Sequence, residues 1–127
     1  MLSAFLRKSS IRDMRVSSAR LMSVISLSNQ EAVEKFLIIN SKSVLYFTAQ
    51  WCGPCRQVGP IVEEMSKNYS SVAFGKVDVD ENADAAVEFE ISAVPTFITF
   101  DGDKVVNRFS GADPKLLEDH VTRLSKQ

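Results

Sequence analysis

Residues 44–55 read Val44-Leu45-Tyr46-Phe47-Thr48-Ala49-Gln50-Trp51-Cys52-Gly53-Pro54-Cys55, and they contain both cysteines of the 127-residue chain. The apolar start of this stretch predicts a buried strand, which leads into a Cys-x-x-Cys turn. Two intervening residues let one helical turn bring the sulfurs together. If a helix begins at Cys52, its free backbone N–H groups and its dipole favour a thiolate there. The stretch therefore predicts a reversible dithiol–disulfide pair with a thiolate nucleophile.

Two other uses of a cysteine pair compete with this interpretation. A structural zinc ion needs four thiolate or imidazole ligands, whereas the chain has two cysteines and one histidine, His120. A static disulfide is the second alternative, but a bridge that closes so short a loop stabilises a fold little. Both alternatives are less favoured than a redox-active pair, and no metal site is expected.

The charge of the chain is unevenly distributed. Residues 1–20 carry five basic side chains against one acidic side chain, whereas the remainder carries ten basic and fifteen acidic ones. The first segment is also rich in serine and has Leu2, Phe5 and Leu6 at helical spacing, a pattern typical of a mitochondrial transit peptide. We therefore expect residues 1–22 to be a leader to the mitochondrial matrix. A basic tail that binds anionic partners is the alternative.

The remaining residues, 23–127, are expected to form one α/β domain, because short apolar runs alternate with helical patterns. An acidic domain of this kind is not expected to bind nucleic acid, and no segment approaches the length of a membrane span. Asp80 is a candidate cap for a short helix, and His120 lies on the apolar stripe of the last helix, where packing is the expected role. The predicted strands lie near residues 23–26, 43–47, 72–79, 96–100 and 105–109, and the predicted helices near 29–39, 54–68, 80–89 and 113–124.

Markers in a fixed order make residues 24–126 resemble the thioredoxin family. They are Phe47, Trp51 to Cys55, Pro60, Lys76, Asp78, Val94-Pro95-Thr96, Gly102 and Gly111. The resemblance implies the thioredoxin fold, a three-layer sandwich with a central mixed β-sheet, in the order β-α-β-α-β-α-β-β-α. With its leader the chain is similar to the mitochondrial type, and Tyr46-Phe47-Thr48-Ala49 resembles the o-type of plant mitochondria.

The resemblance also implies roles for individual residues. Cys52 would be the exposed attacking thiol and Cys55 the resolving one, while Gly53 and Pro54 set the turn and Trp51 covers the pair. The Val94–Pro95 bond would be cis, with the Val94 backbone free to pair with an extended substrate. Two small residues, Gly111 and Ala112, would leave room for that substrate.

Tyr46 departs from the family pattern, which has a buried aspartate at this position, beside the lysine that Lys76 matches. A phenol titrates near 10 and is a poor base at neutral pH. Three interpretations stay open: Tyr46 is a packed strand residue, it hydrogen-bonds near Cys55, or water alone carries the proton of Cys55.

The resemblance implies a monomeric protein-disulfide reductase that needs no bound cofactor. Its expected partners are a flavin-containing, NADPH-dependent thioredoxin reductase and substrates such as peroxiredoxins. A binding subunit that uses only the surface of this fold, and a dimer that shares an iron–sulfur cluster through Cys52 and Cys55, are the rival interpretations. The direction of electron flow depends on the reduction potential of the pair.

Overall fold

A computed structural model describes residues 23–127. The predicted leader, residues 1–22, lies outside the described residues. Strands and helices follow one another in the predicted order, β-α-β-α-β-α-β-β-α. The strands are β1 (Val24–Ser26), β2 (Lys42–Thr48), β3 (Ala73–Asp78), β4 (Thr96–Asp101) and β5 (Lys104–Ser110), and the helices are α1 (Gln30–Ile39), α2 (Gly53–Asn68), α3 (Ala83–Glu88) and α4 (Pro114–Ser125).

The five strands form one mixed sheet in the order β1-β3-β2-β4-β5. The β1–β3 and β2–β3 pairs are parallel, while β4 runs antiparallel to both β2 and β5. The strands predicted near residues 96–100 and 105–109 therefore form an antiparallel hairpin, with β5 as the edge strand. Gly102 sits in its turn with a φ of 65°, a conformation that glycine adopts without strain.

Strand β2 lies at the centre of the sheet, and its residues 43–48 are buried on both faces. Successive side chains of a strand point to opposite faces, so Leu45 and Phe47 join one core while Val44 and Tyr46 join the other. Helices α1 and α3 supply residues to the first core, and α2 and α4 to the second. The result is the three-layer sandwich that was expected.

Two local expectations need correction. Helix α3 is capped by Asn82, whose side chain accepts a hydrogen bond from the Ala85 N–H at 3.2 Å, and not by Asp80. Asp80 lies two residues earlier, in the turn that follows β3, where its own N–H donates to Asp78 Oδ1. Helix α2 begins at Gly53, one residue before the expected Pro54, and continues through Pro60 to Asn68 as predicted.

No helix within residues 23–127 combines the length and the apolar character that a membrane crossing requires.

Candidate active site

Cys52 and Cys55 are joined by a disulfide at the start of α2, with their Cα atoms 5.2 Å apart. Cys52 is the N-cap of this helix, and Pro54 occupies the first turn, where its missing N–H leaves no bond unmade. The backbone N–H of Cys55 points at the Cys52 sulfur, 3.2 Å away. The sequence prediction of a Cys-x-x-Cys pair at a helix start is therefore confirmed.

This placement has a direct electrostatic consequence for Cys52. A 16-residue helix begins immediately after it, and the positive end of the helix dipole lies at the sulfur. When the disulfide is open, the Cys55 N–H and the dipole both favour the thiolate of Cys52 over its thiol. Cys55 lies one turn inside the helix and does not have the same advantage.

The expected exposure of Cys52 is wrong, because only 4% of the residue is accessible to solvent. Three apolar side chains pack against the cysteine pair: Ala49, Val79 and Val94. The Cys52 sulfur lies 3.7 Å from the Val94 carbonyl oxygen, so the loop before β4 closes over this side of the pair. A partner sulfur must therefore dock closely against this loop to reach Cys52.

The loop opposite the disulfide contains a cis peptide bond between Val94 and Pro95, as the resemblance implied. Thr96 fixes this loop, because its hydroxyl donates to the Ala93 carbonyl at 2.6 Å and pairs with the Ser110 hydroxyl at 2.8 Å. The Gly111 N–H donates to the Pro95 carbonyl at 2.9 Å. The end of β5 thus holds the proline loop in place against the cysteines.

Gly111 and Ala112 follow β5 beside this loop. Gly111 is exposed and has a φ of 104°, which favours glycine, and a Cβ added to it would meet open space. Ala112 is half-buried and packs against the α2–α4 core. The structure therefore places Gly111 against Pro95, and room for a substrate at Gly111 and Ala112 stays a prediction.

Trp51 directly precedes Cys52 in the chain, and its side chain is 68% exposed. Its indole N–H donates to the Asp80 carboxylate at 2.9 Å, which orients the ring. Trp51 also lines a shallow depression of about 140 Å³ together with Val94 of the proline loop and Ile91. The indole remains largely in solvent, and the prediction that Trp51 covers the cysteines stays a prediction.

Tyr46 reaches α2 from the central strand, and its hydroxyl donates a hydrogen bond to the Cys55 carbonyl oxygen at 3.0 Å. The residue is 3% exposed, and this burial raises the pKa of the phenol above its usual value of 10.0. The phenol therefore stays protonated at neutral pH. Of the three interpretations, packing and hydrogen bonding near Cys55 both hold.

A cavity of about 320 Å³ lies behind Cys55 and next to Tyr46. Lys76 borders it from β3, directly opposite Tyr46 in the strand register, and its side chain is exposed. No salt bridge to Lys76 occurs within residues 23–127, where the one ion pair found is Lys115 with Asp119.

Sequence reasoning missed the supports of the site. The sequence predicts a helix cap at Asp80 and a strand residue at Thr96, and it assigns no role to Ser110. Their supporting roles depend on contacts between segments that are distant in sequence, such as the hydrogen bond between Trp51 and Asp80, which are separated by 29 positions. The one available signal was the position of Thr96, directly after the motif proline.

No metal centre is indicated in the part of the chain that the structure describes, since no three side chains among its histidine, cysteine, aspartate and glutamate residues cluster as ligands.

A five-stranded thioredoxin-type sheet and a redox-active pair at the start of α2 define a thiol–disulfide oxidoreductase. Comparison with known proteins agrees with this class. The family model described as Thioredoxin matches residues 23–123. A thioredoxin H-type from Picea mariana is 42% identical over 96 residues, which cover 76% of this chain and 74% of the relative.

A mitochondrial thioredoxin from Mus musculus is also 42% identical, over 91 residues that cover 68% of this chain and 55% of the relative. Among solved structures, one comes from work on thiol resolution in a yeast mitochondrial 1-Cys peroxiredoxin via the glutathione and thioredoxin systems. It superposes with a TM-score of 0.76 at 33% identity and covers 83% of this chain and 99% of that one. The chain belongs to the thioredoxin family, and its Cys52–Cys55 pair supports dithiol–disulfide exchange.

Proposed function

We propose that the protein is a protein-disulfide reductase in which Cys52 attacks and Cys55 resolves. The Cys52 thiolate attacks one sulfur of a target disulfide, a Cys52–target bond forms, and the target's other sulfur leaves as a thiolate. Cys55 then loses its proton and attacks the Cys52 sulfur. The Cys52–Cys55 bond forms, the second target sulfur leaves, and two electrons have passed from the pair to the target.

One observation carries this assignment of roles: the Cys52 sulfur caps α2 and faces the Cys55 N–H. The thiolate is the attacking species, and a helix N-terminus is where a thiolate is favoured. Cys55 is 2% exposed, which suits a thiol that meets only the neighbouring sulfur.

The proline loop supports a role in target binding. Pro95 has no N–H to donate, whereas the Val94 backbone can pair with an extended segment of a partner. Trp51 and Gly111 lie beside that loop, and the small residues Gly111 and Ala112 are proposed to leave space for the partner. Gly53 and Pro54 shape the turn that presents Cys52, and Lys76 borders the cavity behind Cys55.

Serine substitutions of the two cysteines test this function. We expect Cys52→Ser to abolish the reduction of insulin disulfides, because the nucleophile is lost. We expect Cys55→Ser to attack once and then remain as a mixed disulfide with the target, visible by non-reducing electrophoresis. A Cys55→Ser protein that releases its target at the wild-type rate would contradict the assigned order.

The partners follow from the same chemistry. A reductase must return two electrons to the Cys52–Cys55 disulfide, and an NADPH-dependent flavoenzyme of the thioredoxin reductase class would supply them. Peroxiredoxins are proposed targets, in line with the peroxiredoxin named for the similar yeast structure. No resident cofactor is required, since the cysteines carry both electrons, and the protein is proposed to act as a monomer.

We further propose the mitochondrial matrix as the compartment, with residues 1–22 as the transit peptide and 23–127 as the thioredoxin domain. The basic, serine-rich leader supports this compartment. The relatives do not decide it, because the H-type and the mitochondrial thioredoxin are both 42% identical to this chain. A fluorescent protein fused after residue 22 should enter mitochondria, and a leader with its five basic residues changed to glutamine should not. Diffuse fluorescence of the unchanged fusion would contradict the proposal.

A further inference from the structure

Helix α2 is weakened about one turn after Cys55 by Gly59 and Pro60. Pro60 has no N–H to donate to the carbonyl of Arg56, four residues earlier, and glycine is a poor helix former. This weak point falls immediately after the turn that carries Cys55. The position of Cys55 therefore depends on contacts from outside the helix.

Tyr46 makes such a contact, since its hydroxyl donates to the Cys55 carbonyl at 3.0 Å. The donor is rigid, because β2 is paired on both sides and the Tyr46 ring stacks on Phe97 with centroids 5.1 Å apart and planes within 9°. A fixed donor from the central strand thus holds the backbone of the resolving cysteine. The cavity begins beside this hydrogen bond.

The charged groups around the cavity come from two elements. Arg56 and Glu63 of α2 and Lys76 of β3 are exposed at its margin. Asp78 of β3 is half-buried, and its Oδ1 already accepts hydrogen bonds from the N–H groups of Asp80 and Glu81. A cavity of this size, bordered by polar side chains, can hold water. The position opposite Lys76 in β2 is Tyr46, so no carboxylate stands there.

We propose that Tyr46 is a positioning residue that holds Cys55 through its carbonyl, and that Cys55 releases its proton to water in the adjoining cavity. The proposal rests on the assigned role of Cys55 as the resolving thiol. In the step, the Cys55 S–H bond breaks, water accepts the proton, and the resulting thiolate forms the bond to Cys52. Tyr46 remains protonated and keeps donating to the carbonyl throughout.

Tyr46→Phe tests the positioning role, because it keeps the stacked ring and removes only the hydroxyl. Tyr69→Phe is the matched control: the Tyr69 hydroxyl bonds to Thr122 at 2.9 Å, between α2 and α4. Two measurements apply, the equilibrium of the pair with a dithiothreitol buffer, and the stopped-flow rate of disulfide closure after the reduced protein reacts with dithionitrobenzoate.

We expect closure in Tyr46→Phe to be about fivefold slower, because a less fixed Cys55 loses proximity to Cys52. The equilibrium constant for disulfide formation should fall by about fivefold, which corresponds to a reduction potential about 20 mV higher. The Tyr69→Phe control should match the wild type in both measurements. Wild-type closure and potential in Tyr46→Phe, with only a lower melting temperature, would overturn the positioning role.

The pH dependence of closure tests the path of the proton. The profiles of the wild type and Tyr46→Phe should have the same shape between pH 6 and 9, since the phenol gives up no proton there. Tyr46→Asp should change the shape, because a carboxylate beside the cavity water accepts the proton once it is ionised. A changed shape in Tyr46→Phe, or a Tyr46→Asp profile that superimposes on the wild type, would overturn this part.

Neither measurement uses a protein substrate. A wild-type protein that closes its disulfide as described, but fails to reduce insulin, would disprove the proposed function and leave the role of Tyr46 standing. Normal insulin reduction by the wild type, together with wild-type closure in Tyr46→Phe, would support the proposed function and disprove the role of Tyr46.

Discussion

At the scale of single residues, position 46 shows how one side chain changes the chemistry of a family site. A carboxylate there would accept hydrogen bonds and protons but would be expensive to bury in its charged form. The phenol of Tyr46 is buried at 3% exposure, stacks on Phe97 and donates a hydrogen bond. The residue therefore supplies a donor where the family pattern has a base, and water in the cavity is the proposed proton acceptor.

The sequence predicted the reacting groups of the site better than their surroundings. The Cys-x-x-Cys spacing and the Val94–Pro95 pair are local patterns, and each was placed correctly. The burial of Cys52 was not predicted, because it results from Val79 and Val94, which follow the cysteine by 27 residues or more. The Trp51–Asp80 hydrogen bond was missed for the same reason.

At the scale of elements, the N-caps show where the sequence predicts boundaries well. Asn29 caps α1 at the start of the predicted range 29–39, and Asp113 caps the helix that begins at Pro114. Two polar residues, Asp80 and Asn82, lie just before α3, and Asn82 is the cap. Its side chain also donates to the Leu27 carbonyl at 3.2 Å, a contact between α3 and the segment after β1 that the sequence could not indicate.

These two asparagine caps predict different costs on substitution. Asn29 is exposed and makes one capping bond, to the Ala32 N–H at 2.8 Å, so Asn29→Ala should lower the free energy of unfolding by about 1 kcal/mol. Asn82 is 3% exposed, and its loss also leaves the buried Leu27 carbonyl without this donor, so Asn82→Ala should cost roughly 2–3 kcal/mol. Urea unfolding of both variants measures the difference. Equal losses would show that the second hydrogen bond of Asn82 contributes nothing.

Strand and helix types followed from hydrophobic periodicity, and the remaining boundary errors have simple causes. Strand β3 begins at Ala73 and ends at Asp78, one residue inside the predicted run at each end. Val72 and Val79 are apolar, but they belong to the connections around the strand, where the Val79 N–H donates to the Thr48 carbonyl. Apolar character predicts burial, and buried residues extend beyond the ladder itself.

At the scale of the whole molecule, four stacked rings connect the site to the last helix. Tyr46 stacks on Phe97, Phe97 on Phe109 at 5.4 Å, and Phe109 on His120 at 4.3 Å. The rings belong to β2, β4, β5 and α4, so this stack ties the edge of the sheet and the closing helix to the central strand. His120 is packed, as its place on the apolar stripe predicted.

His120 is the weak point of this stack at low pH. Its Nδ1 atom is buried and lacks a hydrogen-bond partner among residues 23–127. Burial, together with the positive charge of Arg123, lowers the pKa of His120 below its usual 6.5, while Asp119 opposes the shift. Arg123 and Asp119 belong to α4 itself, and the element packed against the imidazole contributes the uncharged ring of Phe109.

The lowered pKa predicts a pH-dependent stability with a definite sign. Between the folded-state pKa and the unfolded value near 6.5, the unfolded chain binds more protons than the folded one, so stability rises with pH across this window. The stabilisation is complete above pH 6.5 and is lost as the pH falls through the folded-state pKa. His120→Phe keeps a stacked ring and removes the titrating group, so its free energy of unfolding should vary less between pH 5.5 and 7.5. Urea unfolding of both proteins at several pH values gives the difference, in which the contributions of the carboxylates cancel. Parallel curves would show that protonation of His120 does not weaken the fold.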